Sequence, residues 1–380
     1  MLAYLRFTPE TSRGRRYPEP EHPYRNAFQR DRDRVIHSTA FRRLEAKTQV
    51  FAAGLSDHFR NRLTHTIEVA QVSRTVARAL GLDEDLTEAL ALVHDIGHPP
   101  FAHAGEQELD RQMKRFGDHF DHNQHALRIV ESFEQRYARF PGLNLTFEVR
   151  EGIVKHSRDL EPGEMPELEE YLPGLRPPIE AQLIDLADEV AYDTADLDDA
   201  FSAALIDSGL IAEQVPAFRH EWEMIETQFP GATERERFLE VLRLIIGRLV
   251  SGLIEGTQSA VRESGVRTPQ DVRESPSRIA HFDTQSAGIA RDLKLFLHRF
   301  VYDTRMLQES RRAAVARIAT MFQAFLDHPE MLPPRYDDVV LSTSLHRVVC
   351  DYIAGMTDTF FDRIYSSEIV KWESSARRTP

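Results

Sequence analysis

Apolar residues recur at helical spacing along most of this chain of 380 residues. Over residues 26–46, Phe28, Val35, Ile36, Phe41 and Leu44 fall on a period of about 3.6, which predicts a helix. Residues 61–80 carry the strongest pattern. Val69, Val72, Val76 and Leu80 make one apolar stripe there, and Gly81 stops the helix. Asp83 caps a second helix from Glu84 to about His94, and Gly97-His-Pro-Pro100 breaks it. Residues 102–116, 123–139 and 148–155 read the same way, and 179–204 as a helix or a helix with a break. After Pro216 the chain is again helical, over 217–228, 234–259, 277–300, 304–327, 339–354 and 357–372.

The remaining stretches lack that period. Residues 1–25 contain Pro9, Gly14, Pro18, Pro20 and Pro23 among many charges, and read as an extended arm. The β-branched run from Thr48 to Gly54 is a loop or a short strand. Residues 157–178, rich in Pro and Glu, and the polar residues 263–277, with two prolines, read as exposed loops. No stretch sustains strand alternation and no segment repeats. The expected architecture is all-α. It comprises an N-terminal arm (1–25), a helical core (26–210) and a helical C-terminal region (211–380) that packs on the core, with other subunits as the second option. Leu341, Leu345, Val348, Ile353, Phe360 and Phe361 would make that packing face.

Composition narrows the function. Hydrophobic content of 41% and charged content of 28% describe a soluble globular chain. The single cysteine, Cys350, excludes an intramolecular disulfide and suits a reducing compartment. The start lacks a signal-peptide core, and no run of about 18 apolar residues exists, so no membrane span is expected and the cytoplasm is the default. A net charge of −14 argues against holding nucleic acid by overall field, which leaves that partner possible but not favoured. Arginines nevertheless crowd the first eighty residues, among them Arg15, Arg16, Arg25, Arg32, Arg34 and Arg62. They are solvated on helix faces or, in part, form a local anion site.

The chemistry gathers around His94-Asp-Ile-Gly-His-Pro-Pro-Phe-Ala-His-Ala-Gly-Glu106. His94 and Asp95 end an apolar helix, and the breaker that follows brings His98 and His103 back near that end. His65 sits on the buried stripe of the preceding helix, where a bare imidazole needs a partner. Asp188 can supply the anion. Ile184, Asp188, Tyr192 and Asp196 are spaced by four and share one helix face. Asp198 and Asp199 read as solvated carboxylates, and Asp196 would too on sequence alone. Two His and two Asp give nitrogen and oxygen donors without sulfur. That set suits Mn²⁺, Fe²⁺, Co²⁺, Ni²⁺ or Zn²⁺, with Mg²⁺ possible. Such a metal would polarise a phosphoryl group and lower the pKa of bound water. His103 and Glu106, three apart, also share a face. A carboxylate beside an imidazole favours its protonated form and fixes its tautomer, as a general acid requires. His119-Phe-Asp-His122-Asn-Gln-His125 adds three histidines, of which at least one faces the site and the others are surface residues.

These residues resemble the deoxyguanosinetriphosphate triphosphohydrolase-like proteins, the bacterial dNTPase branch of the HD superfamily. The resemblance is carried by residues 25–44, Lys47-Thr-Gln-Val-Phe51, Arg62-Leu-Thr-His65, residues 94–106 and Ala187-Asp-Glu-Val-Ala-Tyr-Asp193. It covers roughly residues 24–200 well and the rest more loosely. It implies an HD-domain helical phosphohydrolase core with a C-terminal helical extension. The implied reaction is hydrolysis of a deoxynucleoside triphosphate, dGTP or several dNTPs, to deoxynucleoside and inorganic triphosphate. His65, His94, Asp95 and Asp188 match the metal ligands, and His103 with Glu106 matches the catalytic dyad, His103 protonating the departing 5′ oxygen. His122 matches a second phosphate-side histidine. Arg62 and His98 match phosphate contacts, Gln49 and Asp196 the residues that hold the 3′-hydroxyl, and Tyr192 the ring that excludes a 2′-hydroxyl. A Tyr and an Asp one turn apart have a physical reason to discriminate, since an added 2′ oxygen would clash or stay unpaired.

One position departs from the pattern. Some relatives carry a basic residue after the last ligand Asp, and here Glu189 stands there. Lys294, Arg299 and Arg305 are candidates to meet the triphosphate charge instead. The resemblance also implies a homo-oligomer. Alternatives are an HD-type phosphomonoesterase on dNMPs, a single-strand nuclease, or a non-catalytic dNTP sensor. The Gly-Tyr-Pro motif of the cyclic-dinucleotide branch is absent.

Overall fold

A computed structural model describes residues 1–50, 59–334, 343–370 and 372. Among them the architecture is all-α. There is no β-strand, only isolated bridges between Arg15 and Thr146 and between Thr48 and Asn61. The expected loop or strand at 48–54 therefore begins with one bridge at Thr48, and its residues 51–54 lie outside the described residues. No helix among the described residues is long and apolar enough to cross a membrane.

The chain divides into two interleaved compact units, one of residues 1–36, 65–94 and 143–304, the other of 37–64, 95–142 and 305–380. In the first, α1 (Ala27–Ile36) packs on α4 (Glu84–Val93), and α4 on α8 (Ile179–Ser202). The α3 helix (Arg62–Leu80) buries the predicted stripe of Val69, Val72, Val76 and Leu80. It ends at Gly81, whose φ of +80° is the left-handed stop a helix needs there. Asp83 caps α4 by accepting the Leu86 N–H. The short α7 (Phe147–Val154) is buried on every side. There follow α9 (Ser208–Gln214), α10 (Pro216–Gln228), α11 (Glu234–Ser264), α12 (Pro269–Glu274) and α13 (Thr284–Leu297), of which α11 and α13 pack on α8. The α11 helix opens on a capping box of Thr233 and Glu236.

The second unit contains α2 (Thr39–Arg43), α5 (Ala102–Lys114), α6 (His122–Arg128), α14 (Arg305–Asp327), α15 (Leu345–Ala354) and α16 (Asp358–Ile364). Its core joins Leu109 and Met113 of α5 to Ile318, Phe322 and Phe325 of α14, and to Val348, Ile353 and Phe361. Leu345 and Phe360 pack against this cluster. The C-terminal apolar face thus closes on its own chain, with Leu341 outside the described residues.

Several segments differ from the pattern reading. The N-terminal arm is anchored. Leu2, Leu5 and Phe7 are buried, and Arg15 pairs with the fully buried Asp31 at 2.6 Å. Arg34 reaches Glu19 at 2.7 Å and Arg32 reaches Asp85 at 3.0 Å, so these arginines pair with acids within their own unit. Residues 157–178 are not an exposed loop throughout, because Leu160, Leu168 and Tyr171 are buried at spacings too uneven to give a period. Residues 263–277 contain the rest of α11 and the capped turn of α12, where Pro269 sits in the first turn and therefore starts the helix rather than breaking it. The expected helix at 123–139 ends early, in a single wide turn at Ile129–Phe133. That expected at 277–300 begins only at Thr284, since Ile279 and Ala280 donate instead to Gln182 Oε1 (2.7 and 3.2 Å). In the C-terminal region, α15 begins at Leu345, and residues 339–342 of its expected span lie outside the described residues.

Candidate active site

Helix α3 enters with His65 on its buried face, as the stripe required. In the first unit, His65 Nε2 lies 2.8 Å from Asp188 Oδ1, and His94 Nε2 lies 3.8 Å from the same oxygen. The rings of His65 and His94 are 5.8 Å apart. His94 Nδ1 lies 2.6 Å from the Ala91 carbonyl, an acceptor that fixes the proton there and turns Nε2 toward the carboxylate. Two donors each about 2.1 Å from one cation at a right angle stand about 3 Å apart. The His65–Asp188 separation fits that spacing, and both imidazoles are buried while the Asp188 side chain keeps 30% exposure. His156, which the pattern reading passed over, joins this group. His94, His156 and Asp188 each bring a ligand atom within 4.8 Å of the others. The donor set fits a divalent cation.

Further along the same face of α8, Tyr192 and Asp196 lie one turn apart. Tyr302, not anticipated, donates its hydroxyl to Asp196 Oδ2 at 2.5 Å, and its ring lies 6.1 Å from that of Tyr192. Asp196 is buried, not solvated, as are Asp198 and Asp199. Arg235 at 2.8 Å accounts for Asp198. Burial pushes the Asp196 carboxyl up to about 7, against the hydrogen bond from Tyr302. Burial and then Glu189 push Asp193 to about 8, with Lys294 opposing. Of the other two basic candidates, Arg299 stacks over Phe300 at 5.0 Å, and Arg305 is exposed and pairs with Glu309 at 2.7 Å.

The second unit holds the other seven predicted residues, Gln49, Arg62, Asp95, His98, His103, Glu106 and His122. Arg62 donates to Asp95 Oδ2 at 2.7 Å, and His98 Nδ1 lies 3.0 Å from Asp95 Oδ1. The turn from Asp95 to Phe101 is held on several sides. Lys47 donates to the His98 carbonyl, and Asp358 accepts the Phe101 N–H at 3.1 Å. Phe101 and Ala102 take positive φ of 63° and 54°, a conformation costly outside glycine that these anchors sustain. Burial, and then Arg62, bring the Lys47 ammonium down to about 7.

Glu106 sits between two imidazoles. Its Oε1 lies 2.6 Å from His122 Nδ1 and accepts the His122 N–H at 3.0 Å, while its Oε2 lies 3.4 Å from His103 Nδ1. The tighter partner of Glu106 is thus His122. Burial would raise the Glu106 carboxyl, but the hydrogen bonds of His103 and His122 outweigh it and hold the group well below the usual carboxylate range. The His98 ring stacks 3.9 Å from that of His122 and lies 5.5 Å from that of His103. Burial, then Arg62 and His122, keep His98 neutral well below its ordinary value. The His103 side chain is 64% exposed and free to meet a ligand. Of the other two histidines, His119 is half-exposed beside Gln124 (3.0 Å), but His125 is no surface residue. It is buried edge-on between Phe120 and Phe133, an aromatic slot the sequence spacing does not announce. Gln49 is buried, and its Oε1 has no hydrogen-bond partner among the described residues.

His65, His94 and Asp188 thus come together in the first unit, and Asp95 follows His94 in sequence. The HD domain model matches residues 62–193, and that of the phosphohydrolase-associated domain matches residues 280–367. Among curated proteins, the deoxyguanosinetriphosphate triphosphohydrolase-like protein of Geobacter sulfurreducens is 44% identical over 92% of this chain and 90% of its own length. Those of Azoarcus sp. (44%, covering 94% of each chain) and Bordetella pertussis (42%, covering 94% of each) carry the same name. The chain belongs to the deoxyguanosinetriphosphate triphosphohydrolase-like family. The HD domain and these relatives support phosphohydrolase activity.

Proposed function

We propose that this chain hydrolyses deoxynucleoside triphosphates at the α-phosphate, releasing a deoxynucleoside and inorganic triphosphate. The observation that carries the reading is Glu106, an anionic carboxylate between His103 and His122. A pure nucleotide binder has no need of an imidazole oriented by a carboxylate beside a phosphate site. His65, His94, Asp95 and Asp188 would hold a divalent cation, whose identity among Mn, Mg, Fe, Co, Ni and Zn the donors do not select. When bound, such a cation would supply Lewis-acid polarisation of the phosphoryl group and lower the pKa of water.

The remaining work falls to the chain's own side chains. His103, exposed and tied to Glu106, gives its proton to the departing 5′ oxygen. His122 shares Glu106 and stands on the phosphate side. Arg62 directs N–H donors at phosphate oxygens, and His98 stands beside it on the phosphate side. Tyr192 closes the sugar edge against a 2′ oxygen, while Asp196 and Gln49 bind the 3′-hydroxyl. An Asp196 carboxyl titrating near 7 both accepts and donates such a bond. Residues 26–210 would carry this chemistry, and the protein would act on free nucleotides in the cytoplasm as a homo-oligomer.

The test is incubation of the purified chain with each dNTP, singly and mixed, and with GTP, under Mg²⁺ or Mn²⁺, with products resolved by chromatography. Deoxynucleoside plus triphosphate, lost in His103→Ala, is the expected result. Orthophosphate or pyrophosphate would move the chain to another phosphohydrolase reaction. Binding without turnover under every metal would leave a sensor.

A further inference from the structure

His156 has no part in the reaction above, yet it belongs to the group that would hold the cation. It follows α7, whose end is locked by Lys155. That ammonium donates to Glu151 Oε1 (2.8 Å) and to the carbonyls of Leu172 (2.9 Å) and Leu175 (2.8 Å). The His156 ring is buried, with Nδ1 2.6 Å from Asp185 Oδ1. Asp185 is held in turn. The Ser157 N–H donates to its Oδ1 at 3.0 Å, and Arg278 donates to its Oδ2. Arg278 is fixed by Asp159 (3.1 Å) and by the carbonyls of Lys155 (2.6 Å) and Arg158 (2.8 Å). Nδ1 of His156 therefore faces a carboxylate that is itself held on several sides, and this fixes the orientation of the ring. The rings of His156 and His94 are 5.2 Å apart, closer than the 5.8 Å between His65 and His94.

A buried imidazole oriented by a carboxylate, itself oriented by an arginine, is how metal-ligating histidines are supported. Here His94, His156 and Asp188 each bring one ligand atom within 4.8 Å of the others. We propose that His156 supplies a nitrogen to the divalent cation held by His94 and Asp188, with Asp185 as the positioning residue that fixes its ring. This rests on the reading that the centre takes a divalent cation.

The full chain is loaded with Mn²⁺. Affinity is read by titration, and the coupled histidine nitrogens by pulsed electron paramagnetic resonance. His156→Ala should lose one coupled nitrogen and bind Mn²⁺ at least tenfold more weakly. Asp185→Asn should weaken binding about 10–100-fold. Circular dichroism of the metal-free variants checks the fold. If His156→Ala does not fold, His156→Asn, which keeps an N–H donor for Asp185, carries the same two readouts. A folded variant with wild-type affinity and nitrogen count overturns the role of His156 and leaves the metal reading standing. A wild-type chain that binds no Mn²⁺ overturns both.

Discussion

Gly97 has no room for a side chain, and the consequence reaches the cluster of His98, Glu106 and His122. A Cβ built there would lie 2.0 Å from the His122 carbonyl oxygen, 2.5 Å from the Ala126 nitrogen and 2.8 Å from the Ala126 Cβ. These atoms belong to the backbone and the first side-chain carbon of α6, so no rotamer change relieves the overlap. Real Cβ contacts essentially never fall under 3.0 Å, so in Gly97→Ala either α6 or the 95–98 turn must retreat by at least an ångström. His122 moves with α6. Its 2.6 Å contact with Glu106 and its 3.9 Å stacking on His98 then open. Overpacking of this kind costs about 1–3 kcal/mol, and each kcal/mol lowers the Tm by roughly 2–4 °C in a domain of about 150–250 residues. A displacement of about 1 Å in a site costs on the order of 10²-fold in rate. Gly97→Ala should therefore fold, melt several degrees lower and turn over nucleotide about a hundredfold more slowly. Thermal unfolding followed by circular dichroism and steady-state product release measure both. Gly288→Ala in α13 is the control, since its Cβ would meet nothing within 4 Å. Helix propensity should make it more stable by up to about 1 kcal/mol. Gly97→Ala with wild-type Tm and wild-type turnover would refute the reasoning.

Glu106→Gln keeps an acceptor oxygen but loses the charge, so kcat should fall by about 10²–10⁴-fold. The double variant with His103→Ala should be little worse than either alone, because the two act as a unit; additive losses in product assays would deny the pairing. Glu180 predicts a pH effect on stability. Its fully buried carboxylate accepts the N–H groups of Phe7 (3.1 Å) and Asp83 (3.3 Å), and burial pushes it from 4.5 up to about 8. Between those values the folded chain holds a proton that the unfolded chain has lost, so this group's contribution is greatest below about 4.5 and falls as pH rises toward 8. Glu180→Gln should flatten the decline of Tm between pH 5 and 8, and an unchanged slope would exclude Glu180 as its source.

The helices legible from the sequence are those whose apolar residues face one way. In α3, four aliphatic residues on one stripe and a terminal Gly fix both its face and its end. The sequence misleads where burial is not periodic. Leu160, Leu168 and Tyr171 are buried from a segment with too little regular structure to show a period, and Pro269 opens α12 although a proline there reads as a break. The N-terminal arm misreads for a related reason. Three buried apolar side chains and the buried Arg15–Asp31 pair anchor a segment whose prolines and charges suggest only an extended arm.

The site divides along the same line. His94 and Asp95 announce themselves because helix end, breaker and histidines fall within one short run, and helical spacing alone places His103 and Glu106 on one face. Residues that join through space leave no such trace. Tyr302 reaches Asp196 from more than a hundred positions away, in the wide turn that ends α13, and nothing local to Tyr302 marks it. His156 is a single histidine after a short helix, and its meaning lies in Asp185 and Arg278, neither of which any motif includes. The helix before it, α7, contains Glu148, Arg150 and Glu151 and is buried throughout, which only the structure shows. Charges taken out of water require partners close by. A fold that spends an arginine and an aspartate on holding one imidazole has a reason beyond packing, and the cation-side role of His156 follows from that support rather than from its sequence context.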